Sequence, residues 1–188
     1  MIKKLAENQN WAKAAPVLGI VATILLIVFT NPSQPIFWAL VNIPLYFFHQ
    51  TEEHLWPGGF KRYVNTVVNK LPDGEEKLTD IKVFWINILS VWIAFFIFGA
   101  LSFWNIGFGL LLIIFSAINC LTHIGMALIK KEWNPGLVMS SLQMLLSIYG
   151  AYFLTVHGGI QNVALWWVLT IAFSVASHVA VFRLGMTT

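Results

Sequence analysis

Five side chains of the 188-residue sequence have the type and spacing to hold a metal ion or run acid–base chemistry. Three lie in the run Phe47-Phe48-His49-Gln50-Thr51-Glu52-Glu53-His54, and the others are His123 and His178. On a helix, positions i, i+3 and i+4 share a face, so His49, Glu52 and Glu53 point together. Asn119 and His123 repeat the i, i+4 spacing with Ser116 a further turn away, as do Ser174 and His178. Neutral imidazoles and carboxylates are good ligands for zinc, iron or manganese. The set His49, Glu52, Glu53, His123 and His178 therefore reads as a divalent-metal site with an open catalytic position. In a hydrolytic version the carboxylate not committed to the metal, Glu52 or Glu53, is the general base, and Asn119 joins them as a candidate catalytic residue.

Two other chemistries fit the same residues. Paired carboxylates in a low-dielectric place cannot both ionise easily, so one can serve as a proton donor in a metal-free isomerase or cyclase. Trp85, Trp92, Phe47 and Phe48 are then available to shield a carbocation. A carrier that relays protons or moves a metal ion is the third, and it lacks a matching polar path through the other half of the chain's apolar stretches.

The elements that must position these residues are apolar. Hydrophobic residues make up 58% of the sequence, charged residues only 10%, and the mean hydropathy is +0.75, against roughly a quarter charged in a soluble domain. About 20 apolar residues span the hydrocarbon core, and six such stretches occur, at about 14–30, 35–56, 81–101, 106–129, 137–156 and 163–182. The expected fold is thus an all-α transmembrane bundle of six helices, a single domain over 14–183. It is preceded by an amphipathic interfacial tail, 1–13, with Trp11 at headgroup depth, and carries one extended polar loop, 57–80.

All 11 Lys and Arg then fall on one side: Lys3, Lys4, Lys13, Lys61, Arg62, Lys70, Lys77, Lys82, Lys130, Lys131 and Arg183. By the positive-inside rule that side is cytoplasmic, which places both termini inside a multi-pass protein of the cell membrane. Counting 1.5 Å per residue from these boundaries puts His49 at roughly 12 Å, His123 at roughly 10 Å and His178 at roughly 8 Å depth. Agreement in depth is what suggests convergence. A lipophilic small molecule entering between helices is the expected substrate, and membrane lipids and a second copy of the chain are the expected partners. The basic charge reads as a topology signal, so no nucleic-acid partner is expected. Cys120 is the single cysteine, which excludes an intramolecular disulfide.

Three motifs occur in order: His49-Gln50-Thr51-Glu52-Glu53, Asn119-Cys120-Leu121-Thr122-His123 and Trp133-Asn134-Pro135-Gly136. In this the sequence resembles the HXXEE-domain membrane proteins, over about residues 35–136. The third motif carries Trp where that group has Tyr, which favours a structural turn opening the fifth span over a phenolic role. The resemblance implies an integral membrane protein and no established reaction.

Each of these residues also has a plainer reading. Glu52 and Glu53 can snorkel to the interface or pair with Lys61 or Arg62. Asn42, Asn87, Ser90, Ser116 and Gln143 suit helix–helix hydrogen bonds. Pro44 is placed to kink the second span, His54 reads as an interfacial histidine beside Trp56, and His157 as a loop residue.

Overall fold

Stretches of Leu, Ile, Val and Phe that are apolar on nearly every face cannot be left in water, and without water their backbone groups must be satisfied within the segment. Helices are the result. The computed structural model describes residues 1–186, and among these no strand occurs. The elements are α1 (Ile2–Ala6), a 3₁₀ segment (Glu7–Ala14), α2 (Ala15–Phe29), α3 (Pro35–Leu40), α4 (Asn42–His54) and α5 (Phe60–Tyr63) with a π turn at Val64–Val68. There follow α6 (Asp80–Asn87), a π-helical stretch Ile88–Ile93, α7 (Ala94–Ser102), α8 (Gly107–Lys130), α9 (Leu137–His157) and α10 (Val163–Met186).

Five helical segments are long and apolar enough to cross a membrane: Ile2–Phe29, Asp80–Ser102, Gly107–Lys130, Leu137–His157 and Val163–Gly185. The expected span 35–56 is helical but is not among them. It is split at Val41 into α3 and α4, because Pro44 has no N–H to give the Leu40 carbonyl and its ring crowds that oxygen. α4 is also the most polar of the long elements, with Asn42, His49, Gln50, Glu52, Glu53 and His54 all buried.

α8 is the centre of the bundle. It packs on α9, α10, α7, α3 and α4, while α4 lies between α2 and α9. Leu110, Leu112 and Ile113 of α8 are wholly buried. α3 comes close to α8 where Ala39 meets Gly109, a position at which no side chain fits.

The segments that carry the basic residues gather at one end. Asn8 and Gln9, with φ of 49° and 58°, turn the chain back so that Ala6, Trp11 and Ala12 pack on Leu78, Val83 and Phe84. Trp11 is buried in this packing, at 4% exposure. The Asp80 carboxylate accepts from the Asn8 N–H at 3.2 Å and from Gln9 Nε2 at 2.8 Å. Within loop 57–80, Asn65 Oδ1 accepts from the N–H groups of Lys77 and Leu78, and Lys61 pairs with Glu76 at 2.7 Å and Asp80 at 2.9 Å. Burial pulls the Lys61 ammonium down, but its hydrogen bonds to Glu76 and Asp80 outweigh this and hold it above the usual lysine value. Asn69 Nδ2 donates to the Gly185 carbonyl at 3.1 Å, tying the loop to the end of α10.

Candidate metal centre

The last turns of α4 put His49 and Glu53 on one face, and α8 brings His123 against them. Glu53 is the hub. Its Oε2 lies 3.5 Å from His49 Nε2 and 3.4 Å from His54 Nε2, and its Oε1 lies 3.3 Å from His123 Nε2. The donor atoms of His49, Glu53 and His123 all fall within 4.8 Å of one another, and all three residues are buried. The His49 and His123 rings stand edge to face with centroids 4.8 Å apart. Charge-assisted N–H···O bonds are about 2.7–2.9 Å, so these contacts are too long for good ones. Two ligands about 2.0–2.1 Å from a tetrahedral ion are separated by roughly 3.4 Å, close to the distance between Glu53 and each of the two histidines. His49 Nε2, fully buried, has no hydrogen-bond partner.

A surrounding set of contacts orients the rings. Asn134 Nδ2 donates to the His123 carbonyl at 2.9 Å, which turns Asn134 Oδ1 toward the ring, 2.9 Å from Nδ1. That oxygen can only accept, so Nδ1 carries a proton, and in the neutral ring the lone pair is then on Nε2, the nitrogen 3.3 Å from Glu53. This is the tautomer a metal ligand needs. His49 Nδ1 pairs with Ser140 Oγ on α9 at 3.3 Å. Gly136, at φ 95°, closes the site. A Cβ there would stand 2.8 Å from His49 Cε1 and 2.9 Å from both Glu53 Cγ and His123 Cε1.

Two of the expected ligands are elsewhere. Glu52 accepts from the N–H of Val138 at 3.0 Å and of Met139 at 2.6 Å, with one oxygen for each. It caps the first turn of α9, whose unpaired N–H groups and dipole favour a carboxylate, and it is not in the converging set. His178 also lies outside the cluster. Its Nδ1 donates to the Ser174 carbonyl at 2.8 Å and its ring packs 4.6 Å from Phe115, so it is not in the converging set. Asn119 is half-buried on α8, its Oδ1 has no hydrogen-bond partner, and it is not one of the converging residues.

Four residues outside the expected ligand and catalytic set join the site: Asn134, Gly136, His54 and Ser140. Asn134 and Gly136 belong to the turn that opens α9, so the ordered motifs were their signal. His54 was visible only as the next residue after Glu53, and Ser140 carried no signal at all. Helix–helix hydrogen bonds account for Asn42, Asn87 and Gln143, whereas Ser116 Oγ is buried without a partner. Gln143 Nε2 and Ser147 Oγ donate to Asn42 Oδ1, Gln50 Nε2 donates to Asn87 Oδ1, and Trp92 Nε1 donates to Gln50 Oε1. Lys61 is engaged by Glu76 and Asp80.

Fold and site together define an all-helical protein with five helices of membrane-crossing length and a buried His–Glu–His cluster able to hold a metal ion. The chain belongs to the family of proteins of unknown function with an HXXEE motif, whose model matches residues 40–151 and so contains every residue of the cluster. Comparisons with curated proteins and with solved structures find no match.

Proposed function

We propose that this chain is a metal-dependent enzyme of the cell membrane, with a divalent ion (zinc, iron or manganese) held by His49, Glu53 and His123 and a lipophilic substrate reached from the cytoplasmic half of the bilayer. The observation that carries the reading is the convergence of three buried donors within 4.8 Å of one another, with His49 Nε2 left without a hydrogen-bond partner. Three protein ligands leave a coordination position open, the mark of catalytic rather than structural sites. An ion there acts as a Lewis acid toward an oxygen-bearing substrate. Tyr46 and Phe60 pack against the histidine rings and give the site aromatic walls.

The placement in the membrane rests on charge and packing. Counting the broken α3–α4 run as a crossing gives six, and then every Lys and Arg lies on one side, with both termini cytoplasmic. The tail, loop 57–80, the 131–136 turn and the end of α10 meet at the site's end of the bundle. The broadly exposed apolar faces of α2 and α10 suit lipid or a second copy of the chain.

Glu52 supports the metal reading over the other chemistries weighed from the sequence. Both its oxygens accept N–H groups of α9, which favours a structural role for it over a proton shared with Glu53 or a general base. Lewis-acid chemistry is the version these contacts leave simplest. The test is elemental analysis of detergent-purified protein after metal supplementation. The wild type is expected to retain one ion per chain, and His49→Ala, Glu53→Gln and His123→Ala to lose it. A metal-free wild type overturns the proposal.

A further inference from the structure

His54 is the one histidine at the site with no role in the reading above. Its side chain is only 1% exposed, and neither ring nitrogen has a hydrogen-bond partner. A wholly buried imidazole with both nitrogens unsatisfied is costly in apolar surroundings, so its single polar neighbour needs explaining. That neighbour is Glu53, whose Oε2 lies 3.4 Å from His54 Nε2.

His54 does not belong to the same coordination group. It is absent from the set whose donor atoms lie within 4.8 Å of one another, whereas two ligands on one ion at about 2.1 Å can be no more than roughly 4.2 Å apart. It is placed to act on the ligand, not on the ion. Two aromatic rings fix it there. Trp11 meets it edge to face at 5.0 Å, and Phe60 does so at 5.9 Å. Trp11 is delivered by the N-terminal segment, which the Asn8 and Gln9 bonds to Asp80 hold in place.

We infer that His54 is a positioning residue for the metal centre: its Nε2, 3.4 Å from Glu53 Oε2, is the donor within reach of that carboxylate when an ion is bound, and Trp11 makes the N-terminal segment part of the site. This rests on the metal reading. Partners of metal-binding carboxylates and histidines commonly change affinity by about 10- to 100-fold when removed. The segment before the first long helix thereby gains a function that its polar composition does not suggest.

The test is a chelator-competition titration of the zinc-loaded full chain, with X-ray absorption to count coordinated imidazoles. His54→Leu is expected to weaken zinc about 10- to 100-fold, with two imidazoles still bound. His54→Gln keeps an N–H donor and is expected to recover most of the affinity. Trp11→Ala, which touches no ligand, is expected to weaken zinc in the same direction as His54→Leu. Equal affinity in wild type, His54→Leu and His54→Gln overturns the inference while leaving the metal site intact. A count of three imidazoles in the wild type that falls to two in His54→Leu makes His54 a ligand and overturns it also. A wild type that binds no zinc removes the metal reading and this inference with it.

Discussion

Glu52 of α4 accepts the backbone N–H of Met139 at 2.6 Å, across 87 positions of sequence, and thereby fastens the start of α9 to the helix that carries the metal-site histidine. Its neighbour Glu53 points to the three imidazoles. Adjacent carboxylates on one helix do unlike work, one holding the framework and one facing the candidate ion. Glu52→Ala leaves two buried N–H groups without a partner and is expected to cost about 1–2 kcal/mol, in the range of lost helix caps. Thermal unfolding in detergent should show that loss, with metal content at low temperature unchanged. Complete metal loss with unaltered unfolding makes Glu52 a ligand and contradicts the assignment.

Gly136 separates backbone freedom from space. Its φ of 95° is one that L side chains rarely adopt, and a Cβ there would press on His49, Glu53 and His123 at once. Gly136→Ala is expected to lose metal and to be destabilised by on the order of 1–3 kcal/mol. Gly136→Asn tolerates the left-handed backbone better yet carries the same Cβ. It should therefore fail to bind metal as well, and metal binding by the Asn variant shows that the contact is not what matters.

Asn134 sets the tautomer of His123. Asn134→Leu removes the oxygen that accepts from Nδ1 and the amide that donates to the His123 carbonyl. Metal affinity is expected to fall about 10- to 100-fold, measured by chelator competition. Asn134→Asp keeps an acceptor for Nδ1 and should retain more affinity than the Leu variant; the reverse order contradicts the tautomer argument.

Lys61 gives a pH dependence away from the bilayer interior. Its value in the fold is raised above 10.5, so its contribution to stability is complete below that pH. It is lost as pH rises through the higher folded value. The difference in melting temperature between wild type and Lys61→Met should therefore be the same at pH 7 and pH 9 and shrink near pH 11. The pair is partly exposed, so the difference itself amounts to less than about 1 kcal/mol. A gap that already closes between pH 7 and pH 9 counts against the assignment.

The helices were legible because hydropathy is local. The expected spans from 81 onward match the observed helical segments to within a few residues. The second span was less so, since Pro44 interrupts backbone bonding at Val41, a local event that hydropathy does not register. The pairing of His49 with Glu53 was legible for the same reason as the helices, the i, i+4 spacing. Depth along each helix, also a local count, pointed to both His123, which joins the cluster, and His178, which does not.

What the sequence determined by itself is therefore everything set by period and composition: an all-helical chain, its apolar stretches, and the helix face that holds His49 and Glu53. Tertiary structure alone decided how each helix is rotated about its own axis. Glu52 and Glu53 sit about 100° apart around α4, and only the packing of α4 between α2 and α9 determines which one caps α9 and which meets His123. The same freedom turned His178 toward Phe115 and folded Trp11 back onto His54. Depth is additive along a chain, whereas direction depends on neighbours far away in sequence.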